Sequence, residues 1–170
     1  MESSLIPVLG FVAASGTGKT TLLTSLIPLL KNRGLRIGLI KHSHHHFQID
    51  QPGKDSFRLR EAGASPVLLV SSTRRAMITD ILPEHEPRLA EELKLFDDEA
   101  VDLILVEGFK AEKFPKIELH RSILPNPLLY PDDPDVIAIA SDVDVSAHLP
   151  YLDINQPEMI AQFIFSWLPG

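Results

Sequence analysis

Apolar residues along this chain come either in short dense runs or in stripes at helical spacing. Leu5 to Val12 is almost wholly apolar and predicts a buried strand, with Pro7 near its start, where a missing donor is tolerated. Leu22, Leu23, Leu26, Ile27 and Leu30 then share one face of a helix that Arg33-Gly34 closes. Pro28 lies inside that helix and is expected to kink it or interrupt its hydrogen bonding. Leu35 to Lys41 predicts a second strand, followed by a polar loop from His42 to Lys54 and a short helix from Lys54 to Glu61 that ends at Gly63. Val67 to Ser71 and Arg75 to Ile81 are only a few polar residues apart and predict an antiparallel hairpin at a sheet edge. Glu86 to Phe96 fits a charged helix with Leu89, Leu93 and Phe96 facing inward. Asp102 to Gly108 is an apolar strand that ends in a carboxylate and a glycine. Ile117 to His120 and Val136 to Ala140 predict shorter strands on either side of an ordered, proline-rich loop from Pro125 to Pro134. Ile160, Phe163, Ile164, Trp167 and Leu168 form the core stripe of a closing helix.

Composition narrows the class. At 170 residues the chain is expected to form a single domain, 1–170, with a continuous core. Although 44% of residues are apolar, runs such as Leu103 to Val106 are far too short to span a bilayer, so no membrane partner is expected. No basic start leads into a secretory apolar segment, which predicts a soluble, cytoplasmic protein. The absence of cysteine excludes disulfides and thiolate metal sites. A net charge of −7 argues against a nucleic-acid coat but allows a local basic pocket.

The chemistry begins at Ala13-Ala14-Ser15-Gly16-Thr17-Gly18-Lys19-Thr20, between the first strand and the first helix. It matches the phosphate-binding pattern Gly-x-x-x-x-Gly-Lys-Ser/Thr except at Ala13, which replaces the first glycine and is expected to narrow the mouth of the loop. Gly16 and Gly18 let the backbone turn its N–H groups toward a phosphate chain, and Lys19 supplies a mobile cation. The Thr20 hydroxyl suits a magnesium ion bridging the phosphates, and the helix start adds unpaired N–H groups around Ser15 to Thr21. With strands and helices alternating around this motif, the fold class is α/β: a P-loop NTPase-like, mostly parallel sheet flanked by helices, with an antiparallel edge hairpin.

Glu107 ends its strand close to the loop, where a carboxylate can hold magnesium or orient water; its alternative role is to cap a loop or pair with Lys110. Asp102 lies at the opposite end of that strand, too far away to belong to the site. His42, His44, His45 and His46 could gather a transition metal, but alternation along an extended chain opposes their convergence, and contact with phosphate or solvent is the plainer reading. Asp50 and Asp55 suit either a magnesium shell or solvated caps. Lys41, Lys54, Arg58 and Arg60 concentrate positive charge suited to a second anionic ligand, with ordinary solvated helix charges as the alternative for the two arginines. Asp142 can read a guanine base or cap a turn.

The phosphate loop together with Lys41-His42-Ser43-His44-His45, Pro52-Gly53-Lys54-Asp55-Ser56, Glu61-Ala62-Gly63-Ala64 and Leu103-Ile104-Leu105-Val106-Glu107-Gly108-Phe109-Lys110 resembles the molybdopterin-guanine dinucleotide biosynthesis protein B (MobB) family. Ile137-Ala138-Ile139-Ala140-Ser141-Asp142 and Leu152-Asp153-Ile154-Asn155 are also similar to it. The resemblance implies a homodimeric GTP-binding adapter, at most a slow GTPase, that uses GTP and Mg2+ and assists attachment of GMP to molybdopterin. It also implies contact with molybdopterin or its guanine dinucleotide, with the nucleotidyltransferase MobA and with the insertion protein MoeA. The family's phosphate loop falls on Gly16, Thr17, Gly18, Lys19 and Thr20, its basic segments on Lys41, His42, Lys54 and Asp55, and its second-strand carboxylate on Glu107. The guanine signature Asn/Thr-Lys-x-Asp is missing as such around Asp142, and neither a catalytic glutamine nor an arginine finger is evident. A nucleotide-dependent metallochaperone and a small-molecule kinase remain as alternatives.

Overall fold

The dense apolar runs become neighbouring strands, and the stripes become the helices that cover them. In chain order the elements are β1 (Val8–Ala13), α1 (Lys19–Asn32), β2 (Ile37–Lys41), α2 (Asp55–Glu61), β3 (Val67–Val70), β4 (Arg75–Ile78), α3 (Leu89–Glu92), β5 (Leu103–Glu107), β6 (Lys116–His120), β7 (Val136–Ser141), β8 (Tyr151–Asp153) and α4 (Pro157–Trp167). This computed structural model describes residues 6–43, 47–96 and 100–169. Contacts divide the chain into two units, 1–42 with 88–170, and 43–87.

The larger unit holds a six-stranded sheet in the order β2-β5-β1-β6-β7-β8, with every pair parallel. Strand β5 shows how it is filled. Leu103 and Leu105 face a core shared with Leu22, Leu26 and Leu30 of α1 and Ile160 and Ile164 of α4. Ile104 and Val106 alternate onto the other face, with Ile6, Leu89, Phe109 and Phe114. Each fully buried leucine contributes about 1.5–3 kcal/mol relative to exposure. Because parallel strands share one direction, their C-terminal ends form one edge. The register sets Lys41 beside Glu107, Phe11 beside Glu107, Ala13 beside Leu119, and His120 beside Ser141. The chain leaves β1 toward β2 on one side and later crosses to β6 on the other, so the loop after β1 sits at a topological switch point, where open α/β sheets hold ligands.

Several expectations shift. Helix α1 runs to Asn32 without a break, although Pro28 removes one internal donor, and Gly34 ends it at φ 95°. The charged helix from Glu86 to Phe96 shrinks to α3 and a 3-10 turn at Leu93–Leu95. Pro87 disfavours helical geometry at Glu86, and Arg88 is extended, so winding starts only at Leu89. The three-residue β8 is too short to announce itself by alternation. The hairpin β3–β4 forms a two-stranded sheet of its own rather than an edge of the main sheet. It belongs to the smaller unit, as does α2, which Gly63 follows at φ 105°.

Strand β6 conceals an unusual face. Ile117 and Leu119 enter the core, yet Lys116 and Glu118 are also buried, at 1% and 2% exposure. The ammonium of Lys116 donates to Asp133 at 2.9 Å and lies 5.0 Å from the Phe114 ring centre. Glu118 accepts the backbone N–H groups of Leu129 and Tyr130 at 2.7 and 2.8 Å. These bonds order the proline-rich loop. Burial nonetheless pushes the Glu118 carboxyl above its ordinary value. Among the described residues, no helix is long and apolar enough to cross a membrane.

Replacing Glu118 with alanine should lower stability by roughly 2–4 kcal/mol in denaturant titration, because hydrogen bonds to a charged group contribute about 1.5–3 kcal/mol each and the freed loop can rehydrate. An unchanged midpoint would mean that the loop stands without it. At the far end of β5, Asp102 accepts hydrogen bonds from Arg36 N, Nε and Nη2 at 2.7, 2.9 and 2.6 Å. These bonds hold its carboxyl down at about 2 from 3.8. The resulting stabilisation is complete above 3.8 and disappears as pH falls through about 2. Asp102→Asn should therefore flatten the pH dependence of stability in that interval; an identical acid profile would contradict the linkage.

Candidate functional site

The loop from Ala14 to Gly18 leaves β1 and delivers the chain into α1. Gly16 and Gly18 have φ values of 82° and 92°, and an added Cβ would meet nothing within 4 Å at either position. Their requirement is therefore conformational rather than steric. Ala13 is the last residue of β1, paired with Leu119 and buried at 4%. It is absent from the left-handed positions, so the missing first glycine costs the backbone nothing there. Thr17 turns inward: its hydroxyl donates to the Ala14 carbonyl at 2.7 Å and its N–H to the same oxygen at 3.4 Å. Ser15, Gly16, Thr20 and Thr21 face outward.

Helix α1 begins with Lys19, has no side-chain cap and carries no acidic residue in its first turn. Its first N–H groups and positive dipole end are left for an external anion. Lys19 Nζ lies 3.3 Å from Glu107 Oε1, and Lys41 Nζ lies 3.5 Å from Glu107 Oε2. Three predicted site residues from α1, β2 and β5 thus meet at one carboxylate. Glu107 is only 15% exposed, which strengthens its attraction to both cations relative to open solvent. Thr20, exposed in the first turn of α1, and Glu107 are the residues that could offer oxygens to a hard divalent ion, since magnesium is held through few protein oxygens plus phosphate.

After Glu107 the chain turns sharply through Gly108 and Phe109, at φ 105° and 51°. A Cβ at Gly108 would also lie 2.6 Å from the Cβ of His42. That histidine stacks on Phe109 at 4.7 Å, and its N–H donates to the Glu107 carbonyl at 2.8 Å. It ties the ends of β2 and β5 together. The turn returns Lys110 beneath the loop, where its ammonium donates to the Ala13 carbonyl at 3.0 Å. Lys110 therefore serves the loop and is not the partner of Glu107.

Other expected residues have contacts of their own. Asp142 follows β7, and its carboxylate accepts the Ser122 N–H at 2.8 Å and the Ser122 hydroxyl at 3.2 Å. These bonds pull its pKa below the ordinary value, the backbone one most strongly. Lys54 and Asp55 open α2 in the 43–87 unit, both exposed. Asp50 is not a solvated cap: it is buried and paired with Arg60 at 3.3 Å in the same unit. Arg60, also near Glu61 and Asp80, is correspondingly an internal ion-pair centre rather than a solvated charge. Arg58 is exposed. His44, His45 and His46 fall outside the described residues. Among the described residues no group of three His, Cys, Asp or Glu could hold a metal ion.

Sequence reasoning overlooked Arg121. Its Nε donates to the Thr17 carbonyl at 3.4 Å and its Nη1 to Asn155 Oδ1 at 2.8 Å, joining the loop to the turn before α4. Its signal was positional, a cation immediately after a parallel strand at the edge that holds the loop.

Comparisons with known proteins agree with this geometry. The family described as molybdopterin guanine dinucleotide synthesis protein B matches residues 8–142. The chain is 47% identical to the molybdopterin-guanine dinucleotide biosynthesis adapter protein of Escherichia coli, over 97% of this chain and 95% of that one. It is also 47% identical to the Haemophilus influenzae protein of the same name, over 96% and 90%. A crystal structure of molybdopterin-guanine biosynthesis protein B superposes with a TM-score of 0.75 at 26% identity, covering 95% of this chain and 99% of that one. By sequence match and by fold, this chain belongs to the molybdopterin guanine dinucleotide synthesis protein B family.

Proposed function

We propose that this protein is a GTP-binding adapter that assists the attachment of GMP to molybdopterin in the cytoplasm, with GTP hydrolysis slow and secondary. The meeting of Lys19, Lys41 and Glu107 beside an open helix start carries this reading, in a chain nearly half identical to proteins named as adapters of that pathway. The loop's N–H groups and Lys19 would hold the β- and γ-phosphates, while Thr20 and Glu107 would hold magnesium, directly or through water. Bound magnesium would neutralise phosphate charge. Lys41 would remain available to an anion beyond the nucleotide. Asp142, occupied by Ser122, would shape the loops around the base.

The partners follow from the same reading: the nucleotidyltransferase MobA, with MoeA at the next step, and a second copy of this chain. Support for the dimer comes from the smaller unit. Its two-stranded sheet leaves Leu68, Val70 and Met77 more than half exposed, and such a ribbon has little stability of its own. Pairing with another copy through a free strand edge would bury those residues.

Lys19→Ala should weaken GTP binding at least a hundredfold in calorimetric titration while leaving thermal stability near wild type, since the lysine contributes little core packing. Unchanged affinity would remove Lys19 from the phosphate site. Glu107→Ala should slow hydrolysis more than it weakens binding, provided Thr20 and the phosphates retain the metal. Equal loss in single-turnover and binding measurements would make Glu107 chiefly a ligand. Val70→Lys should shift sedimentation from dimer to monomer; a persistent dimer would place the interface elsewhere.

A further inference from the structure

The cations at the phosphate loop fall into two classes. Lys19 and Lys41 share Glu107 and are compensated by it. Lys110 and Arg121 form no ion pair among the described residues, and each donates to a carbonyl of the loop. Arg121, directly after β6, is the one that reaches into the motif itself: its Nε faces the Thr17 oxygen at 3.4 Å. Its other limb donates from Nη1 to Asn155 Oδ1 at 2.8 Å, an uncharged acceptor. Asp142 and Asp153 are held below the ordinary carboxylate value first by the backbone N–H groups of Ser122 and Asn155, and only last by the charge on Arg121. The guanidinium is therefore anchored at both ends while its positive charge is left for the loop.

A trans peptide unit is planar, with its C=O and N–H pointing in opposite directions. A donor on the Thr17 oxygen therefore turns the N–H of the same unit, that of Gly18, away from Arg121. Among the described residues no acceptor meets that N–H, and Gly18 stands at φ 92° immediately before Lys19. Thr17 is only 2% exposed, so water screens little of the Arg121 charge at this peptide. Hydrogen-bonded groups polarise one another, so a cation on the oxygen makes the N–H at the other end of the unit a stronger donor. We infer that Arg121 is a positioning residue of the anion site, orienting and polarising the Thr17–Gly18 peptide from its carbonyl side so that the Gly18 N–H is presented to phosphate. This rests on the nucleotide-binding reading. A residue that merely tied β6 to the turn before α4 would need no charge for that task, and the two roles respond differently to Asn155.

The test is calorimetric titration of the full chain with GTP in excess magnesium, comparing wild type with Arg121→Gln, Arg121→Lys and Asn155→Asp, each accompanied by a thermal melt. Arg121→Gln keeps a donor for the Thr17 oxygen but no charge, and should weaken binding about tenfold, the difference between a charged and a neutral hydrogen bond. Arg121→Lys keeps the charge and should stay within about threefold of wild type. Asn155→Asp separates charge from tethering: a carboxylate there would tighten a tether yet compensate the guanidinium, so binding should weaken by about threefold or more. In the ligand-free chain the Gly18 amide nitrogen resonance should move upfield in Arg121→Gln and Asn155→Asp and return toward wild type in Arg121→Lys, with Gly34, past the far end of α1, as reference. Wild-type affinity in Arg121→Gln, unchanged or tighter binding in Asn155→Asp, or an unmoved Gly18 resonance overturns the proposal. If Arg121→Gln does not fold, Asn155→Asp carries the decision, because it leaves the guanidinium in place. A wild-type chain that binds no GTP defeats the nucleotide reading and this inference with it, whereas GTP binding indifferent to these variants defeats the role of Arg121 alone.

Discussion

A phosphate loop that turns its N–H groups outward leaves its carbonyls facing the protein, where each buried oxygen needs a donor. Much of the site's second layer answers this constraint. The Ala14 carbonyl is met by Thr17 itself, the Ala13 carbonyl by Lys110 and the Thr17 carbonyl by Arg121. Lys110 can arrive only because Gly108 and Phe109 adopt consecutive left-handed conformations directly after Glu107. For Phe109 that conformation is strained, at a cost of order 1–3 kcal/mol. Its ring is buried and stacked on His42, which supplies the packing that holds it. The turn that brings Lys110 beneath the loop is therefore the same turn that fixes the end of β5 where the Glu107 carboxylate projects.

The buried polar face of β6 extends the same logic away from the loop. A buried carboxylate without partners would be expensive, and one with a single partner hardly less so. Glu118 receives two backbone donors from a segment whose prolines supply none, and Lys116 receives Asp133 from that segment's far end. The pair converts a stretch with little secondary structure into a fixed wall.

Most of the sheet was legible because parallel strands buried on both faces read as dense apolar runs, and β1, β5 and β7 are of that kind. The Gly-Thr-Gly-Lys-Thr segment and Glu107 were legible through chemistry tied to position in the chain. Local sequence could not show that β6 buries its polar side chains, since alternating polar residues ordinarily signal a solvated face. Nor could it show that Asp50 and Arg60 pair with one another, because that depends on how the 43–87 segment folds back on itself. The hairpin was recognisable from its spacing, but strand partnership is a long-range property, and β3–β4 forms a two-stranded sheet of its own. Ala13 looked like a defect only when the motif was read as a string. As the buried end of β1 outside the left-handed region, it asks for no glycine.

Glu107 gives the site its internal counter-charge. Two ammonium groups converge there from different elements, Lys19 nearly enclosed at 19% exposure and Lys41 open at 58%. On the proposed reading, a phosphate chain entering the loop would compete with the carboxylate for Lys19, while a divalent ion would compete with the lysines for the carboxylate. Either ligand alone leaves a charge poorly paired, whereas phosphate and metal together satisfy both sides. Binding of the two should therefore be mutually reinforcing, and the more exposed Lys41 is the cation most easily released from Glu107. Its release would supply positive charge at the end of β2, next to the His42 that anchors this strand to β5. On that reading, nucleotide binding would be displayed at the surface through a single carboxylate.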